Sequence, residues 1–227
     1  MSRLHQQRKR SNTRSIITIT LLLLLSAVLV KSSQRAVAQG SERKLIVGGD
    51  HNYPPYEFLA DGEPTGFNID LMRAVGEVTN LDIQIELGPW NEMRSALERE
   101  EIDVLAGMYF TESRDEQVDF TIPHTHVSPG LFVRDNASIR SLDDALTGTI
   151  LVQQDDAMHD YLRTQGGDVG IVPVTDPIDA LRLLSTGWHD AALLSSKIQG
   201  QYLIDQSNID NLRTLSVDMQ PLRYCFA

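Results

Sequence analysis

The 227-residue sequence predicts an α/β protein built as two similar lobes. Three observations carry that expectation. Short apolar strands alternate with helical stretches, which implies largely parallel sheets with right-handed crossovers. The alternation restarts beyond Arg134, as it would in a second lobe. A short internal echo also links Ala96-Leu97 and Glu101-Ile102-Asp103-Val104-Leu105 with Ala180-Leu181 and His189-Asp190-Ala191-Ala192-Leu193. Residues 41 to 227 are long enough to bury a core in this arrangement.

In the first lobe, Leu45-Ile46-Val47 reads as a buried strand. Asn68 fits the N-cap of a helix whose Ile69, Met72, Val75 and Val78 recur near helical spacing. A strand follows from about Ile83 to Leu87. Asn91 fits the cap of the next helix, with Met93, Ala96 and Leu97 inward, and a strand then runs from Ile102 to Ala106. Thr111 to Arg114 starts a helical turn, Val118 to Phe120 is extended, and Leu131-Phe132-Val133 is a further strand. In the second lobe, Ser141 with Asp144 matches a capping box that uses Asp, and Ile150-Leu151-Val152 is a strand. Met158 to Thr164 reads as helix and Ile171-Val172 as strand. Asp176-Pro177 supplies an N-cap and an N1 proline for a helix reaching Ser185, and Ala191 to Leu194 is another buried strand.

The first forty residues hold seven Lys and Arg and no Asp or Glu. Their charge-free apolar run, Ile16 to Val30, is shorter than the roughly 20 residues that span a bilayer, and Ala36-Val37-Ala38 follows it. This is the pattern of an export signal over residues 1–38, cleaved after Ala38 or retained as an anchor. Either outcome places the rest of the chain outside the cytoplasm, in the periplasm of a two-membrane cell. The exported part carries thirteen basic against thirty-one acidic residues, a net of −18, which argues against nucleic acid or anionic lipid as partner. Cys225 is the only cysteine, so no internal disulfide exists, and its apolar surroundings favour an inert thiol.

Candidate binding residues gather where strands end, because ligands of open α/β sheets sit there against helix N-termini. The first such loop, Asn52-Tyr53-Pro54-Pro55-Tyr56-Glu57-Phe58, is stiffened by prolines, and Tyr53, Tyr56 and Phe58 can form a ring wall or, alternatively, ordinary core. Trp90 lies near the same mouth or in the core. The strand ending at Ala106 delivers Gly107, Met108 and Tyr109, then Thr111 as a cap and Arg114, whose planar fork matches a carboxylate or pairs with Glu112 or Asp115 at the surface. Across the cleft, Gln153, Gln154, Asp155 and Asp156 stand between a strand and a helix. His124 and His126 alternate on an extended segment without a third metal ligand of suitable spacing. No nucleophile elbow, phosphate loop or paired-cysteine pattern occurs, so neither metal nor cofactor is expected.

With Gly66-Phe67-Asn68-Ile69-Asp70-Leu71 opening a helix after the aromatic loop, the stretch from Lys44 to Ala227 resembles the bacterial extracellular solute-binding proteins of family 3. Gly107-Met108-Tyr109, Val118-Asp119-Phe120, Ile122-Pro123-His124, Met158-His159-Asp160-Tyr161 and Tyr224-Cys225-Phe226-Ala227 resemble most the versions fused to sensor histidine kinases and diguanylate cyclases. The resemblance implies the type II periplasmic binding fold, with lobe 1 at 44–134, lobe 2 at 135–222 and a return strand from 223, joined by hinge strands near Leu131 to Arg134 and Leu222 to Phe226. It implies a bound small carboxylate, an amino acid or relative, with Tyr53 over the ligand and Arg114 clamping its carboxylate from a solvent-filled cleft. Relatives carry Gly where Asp155 stands and an ammonium-binding Asp where Ser195 stands, so Asp155 or Asp156 takes that role or the ligand is a non-amino carboxylate. Partners would be an ABC permease or a membrane sensor kinase or cyclase. Relatives continue past the return strand, which predicts an exposed apolar edge at Tyr224-Cys225-Phe226. The rival is an enzyme on the same fold, dehydratase-like or transglycosylase-associated, with Glu57, Asp155, Asp156 and His159 available as acids or bases.

Overall fold

The structure is a computed structural model that describes residues 44–165 and 169–227. The segment read as an export signal lies outside the described residues. In chain order, β1 (Leu45–Asp50) leads through a small antiparallel meander of β2 (Asn52–Tyr53), β3 (Glu57–Ala60) and β4 (Glu63–Thr65) into α1 (Phe67–Thr79). Then follow β5 (Ile83–Gly88), α2 (Trp90–Glu98), β6 (Val104–Leu105), β7 (Met108–Tyr109), α3 (Glu112–Asp115) and β8 (Thr125–Val127). The second half runs β9 (Gly130–Arg134), α4 (Leu142–Ala145), β10 (Thr149–Gln153), α5 (Ala157–Gln165), β11 (Gly170–Val174), α6 (Pro177–Thr186), β12 (Ala191–Leu194), α7 (Lys197–Gln206), β13 (Leu212–Ser216) and β14 (Leu222–Cys225).

The fold is α/β with two lobes. Lobe 1 holds the parallel sheet β5-β1-β6 and the antiparallel sheet β7-β14-β8; lobe 2 holds a five-stranded sheet ordered β11-β10-β12-β9-β13. The segment read as the first hinge, Leu131 to Arg134, is an interior strand of that larger sheet. β9 is paired with β12 on one side and β13 on the other, so the chain has already crossed at Ser128-Pro129. Its three buried apolar residues divide between two cores. Leu131 and Val133 pack with Ile150, Val152 and Leu193, while Phe132 packs with Leu151, Leu181 and Leu203 on the other face. This is the period-2 alternation of a strand covered on both sides, and each such side chain contributes about 1.5–3 kcal/mol. Gly200 is required beneath it, because a Cβ there would overlap the Phe132 ring.

The chain returns to lobe 1 between Ser216 and Leu222. β14 is not an exposed edge, as expected from the sequence, but the central strand between β7 and β8, with Tyr224 and Cys225 buried. Its backbone groups are therefore paired on both sides, the condition that removes an edge. The segment read as the second hinge is thus also part of a sheet.

Helix starts differ from the sequence reading in lobe 1. α1 is capped by Gly66 at φ 118°, not by Asn68. A Cβ at Gly66 would strike the Tyr56 carbonyl, and Asn68, two residues into the helix, is buried with its side chain engaged elsewhere. Ile69 and Met72 face the core as expected, but Val78 is 88% exposed. α2 follows Pro89 rather than Asn91. In lobe 2 the capping box of Ser141 and Asp144 is present, and Asp176 with Pro177 opens α6.

The candidate ligand-binding cleft

The ends of β1, β6 and β10 face one another across the lobe boundary, and they enclose a cavity of about 10 Å³, room for about one water. It is lined by Asp50, Tyr53, Glu57, Trp90, Gly107, Met108, Tyr109, Gln153, Asp156 and Tyr224. Gly107 is needed because a Cβ there would overlap the Tyr224 ring and the Asn68 amide. The aromatic part is a cluster. Tyr109 and Tyr224 stack at 4.6 Å, Tyr53 lies within 6.4 Å of both, and the Tyr53 and Tyr109 hydroxyls are hydrogen-bonded at 2.6 Å.

Three buried carboxylates share this space, each held by neutral donors. Asp50 accepts from the Asn52 N–H at 2.8 Å and from Gln153 Nε2 of the opposite lobe at 2.7 Å. Glu57 accepts from the Asp50 N–H at 3.2 Å and from Asn68 Nδ2 at 2.7 Å. Asp156 accepts from the Ala157 N–H and from the Ser195 hydroxyl. Burial raises all three carboxyls despite these bonds, Asp50 to about 6 and Glu57 to about 8. Burial likewise pushes the Tyr53, Tyr109 and Tyr224 hydroxyls well up.

Arg114 stands at the start of α3, where the Thr111 side chain caps its backbone N–H at 3.2 Å. It does not line a solvent-filled cleft, as the sequence suggested, but is 1% exposed. Its terminal nitrogens donate to the Tyr109 carbonyl at 3.2 Å and the Asp155 carbonyl at 3.0 Å. Its fork also meets Oδ2 of Asp160 in α5, at 2.8 Å from one terminal nitrogen and 3.3 Å from Nε. The same Asp155 carbonyl accepts from Trp90 Nε1 and from Arg94, each at 3.0 Å. Asp155 itself has φ 59°, in the left-handed region that favours Gly and admits Asp and Asn, and its N–H donates to His159 Nδ1 at 2.9 Å. Further contacts join the lobes: Gln199 donates to the Asn52 carbonyl at 3.2 Å, His51 lies 3.3 Å from Asp176, and the Phe58 ring lies against Tyr202.

Of the residues singled out in the sequence, Tyr53, Gly107, Met108, Tyr109 and Asp156 line the cavity, Trp90 joins them, and Arg114, Asp155 and Ser195 stand directly behind. Tyr56 is buried against Tyr53 and Tyr224 as core. Phe58 packs on Tyr202 away from the cavity, and Gln154 is exposed. Gln153 faces lobe 1 as the sequence suggested, whereas sequence reasoning missed Asp50, the place of Tyr224 at the cavity, and Asp160 rather than Glu112 or Asp115 as the partner of Arg114. Asp50 and Gln153 share one signal, being the last residues of central strands; Tyr224 and Asp160 stand in stretches that carry the family resemblance, but their partners are distant in sequence. His124 is half-buried and bonds Asn68 at 3.1 Å, while His126 is exposed. Among the described residues, one group could hold a cation: the donor atoms of Asp50, His51 and Asp176 lie within 4.8 Å of one another.

Two lobes that meet over a cavity of buried aromatic and polar groups give the two-lobe fold of the periplasmic binding proteins. Residues 45–212 match the bacterial extracellular solute-binding proteins, family 3, and the chain belongs to that family. It is similar to the arginine-binding extracellular protein ArtP of Bacillus subtilis, with 28% identity over 139 residues, 59% of this chain and 54% of that protein. It is also similar to the histidine-binding periplasmic protein of Salmonella typhimurium, with 30% identity over 130 residues, 56% of this chain and 50% of the other. The chain thus spans about half the length of these curated relatives. Among solved structures, a histidine kinase sensor domain with similarity to periplasmic binding proteins shares 39% identity over 81% of each chain, with a TM-score of 0.74. An ancestral arginine-binding protein bound to glutamine has the same fold, with a TM-score of 0.74 at 24% identity over 81% of this chain and 83% of that one. Among the described residues, no helix is long and apolar enough to cross a membrane.

Proposed function

We propose that this chain is an extracytoplasmic module that traps a small carboxylate, an amino acid or close relative, between its lobes and reports the event by hinge closure. The observation that carries the reading is the pairing of a ring-lined cavity with a buried guanidinium at the carboxyl ends of the parallel strands of two opposed sheets. Movement would turn about the two crossings, Ser128-Pro129 and Val217 to Pro221, since all residues on either side are tied into sheets. Domain closure of this kind couples occupancy to shape. The neighbours are named for arginine, histidine or amino acids, which supports the ligand class. The identity with a kinase sensor domain supports use in signalling, and delivery to an ABC permease is the other use of the same closure.

Binding rather than catalysis is the favoured reading. The matching family is one of solute-binding proteins and the relatives are named for binding, which supports that reading over an enzyme on the same fold. Thermal-shift screening of the protein against an amino-acid and organic-acid panel tests the proposal, with each hit checked by mass spectrometry. A hit recovered intact supports it. Turnover of the hit, or no stabilisation by any member of the panel, would overturn it.

A further inference from the structure

We propose that Asp160 is an internal stand-in for the ligand carboxylate: it fills the Arg114 fork from the opposite lobe and must give way when a carboxylate ligand enters, so it sets affinity and the preference for free acids. The inference rests on the reading of this cleft as a carboxylate-binding site.

The geometry makes Asp160, rather than Arg114, the member of the pair that can leave. Arg114 is 1% exposed and every contact named for it lies inside the fold, so its charge cannot return to water. Asp160 has a side chain 31% exposed, and on release it regains solvent at small cost. Asp160 engages the fork through one oxygen, Oδ2, shared by Nε and one terminal nitrogen. A free carboxylate can use two oxygens in parallel, the stronger fork geometry. Arg94, whose NH1 lies 3.7 Å from Asp160 Oδ2, offers the displaced side chain a second seat on the same side of the cleft. The covering backbone has a matching anchor, because Trp90, Arg94 and Arg114 converge on the Asp155 carbonyl. An internal competitor lowers apparent affinity by the fraction of molecules in which the fork is free.

Titration calorimetry on the full chain with two acid and amine pairs, L-arginine with agmatine and L-histidine with histamine, reads the competition. In Asp160→Asn, which keeps the shape and removes the charge, the acid of a binding pair should gain tenfold or more in affinity while its amine does not. Asp160→Glu should restore the wild-type ratio. An equal shift of both members, or an unchanged or weaker acid, would overturn the inference. A second arm is independent of amino-acid recognition: acetate, the minimal carboxylate, should raise the melting temperature of Asp160→Asn more than that of the wild type, and acetamide should affect both alike. If no amino acid binds either protein, the reading of the cleft as an amino-acid site falls. The acetate arm still decides on Asp160, and identical acetate responses would reject it.

Discussion

The two lobes use one scaffold for two chemistries. Each has a parallel triplet with the same strand order about its central strand, β5-β1-β6 in lobe 1 and β11-β10-β12 in lobe 2. The central strands end on Asp50 and Gln153, and these equivalent residues hydrogen-bond to each other across the cleft. Beyond that point the lobes diverge. Lobe 1 turns into an aromatic loop and places Tyr53, Trp90, Tyr109 and Tyr224 around the cavity, with Arg114 behind. Lobe 2 turns into Asp155 and Asp156 and a helix carrying His159 and Asp160. Strand order fixes only where a ligand would sit, whereas the residues after each strand decide what it meets. The contrast also separates structural cost, concentrated in lobe 1, from adjustable polarity, concentrated in lobe 2.

The largest expected effect tests the buried acid of lobe 1. Glu57 keeps its proton to about pH 8 in the fold, against an ordinary 4.5, because burial outweighs its hydrogen bonds. Between those values the native state holds a proton that the unfolded chain has released, so unfolding free energy falls as pH rises through the window. The loss would reach roughly 4 kcal/mol by the top of it. Urea unfolding at pH 5 and pH 8 should show Glu57→Gln losing that much less than the wild type, with Asp50 adding a smaller slope of the same sign below about 6 in both. Equal slopes in the two proteins would mean that Glu57 is ionised in the fold.

Next comes Arg114. Its three acceptors and near-complete burial make it structural as well as a candidate clamp, so Arg114→Ala should cost about 3 kcal/mol of stability even before any ligand is added. Denaturant midpoints measure it, and a loss under ~0.5 kcal/mol would show that the cleft is open in solution. Gly107→Ala should follow at about 1–3 kcal/mol, since its new Cβ must displace Tyr224 and Asn68. Retained stability there would mean that the ring cluster is loosely packed.

The same contrast explains what the sequence made legible. Strands with apolar runs, such as Leu131 to Val133 and Ala191 to Leu194, declare themselves through burial that does not depend on partners. So do caps whose chemistry is local, as with Ser141 and Asp144. Asn68 misleads because its amide is held by Glu57, eleven residues back, and by His124, fifty-six residues ahead, which outweighs its preference for a helix start. Gly107, Tyr109 and Asp156 could be named because they stand at or just past the ends of strands, and Tyr53 and Arg114 because the family resemblance singles them out. The pairing of Arg114 with Asp160 spans forty-six residues and two lobes, and the placement of Tyr224 depends on β14 entering between two strands of the first lobe. Neither leaves a trace in local pattern.

The smallest expected effect distinguishes two adjacent glutamines of lobe 2. Gln153 ends β10 with its side chain buried toward the cleft and its amide on Asp50, while Gln154 is exposed and its side-chain amide lies 3.4 Å from the Asp155 carboxylate. Successive residues at a strand end face opposite ways, so the pair differs in environment but not in chemistry. Gln153→Ala removes one of two hydrogen bonds to a buried carboxylate and should cost about 1–2 kcal/mol, part of it recovered at low pH as Asp50 takes up a proton. Gln154→Ala should stay within ~0.5 kcal/mol of the wild type and leave ligand affinity unchanged. Paired unfolding curves at pH 7.5 and pH 5 separate these outcomes. If the two variants prove equally mild, the Asp50–Gln153 bond contributes nothing to joining the lobes, and the symmetry of the central strands is architectural only; a cost confined to Gln153→Ala and shrinking at pH 5 establishes it as a polar bridge between equivalent positions.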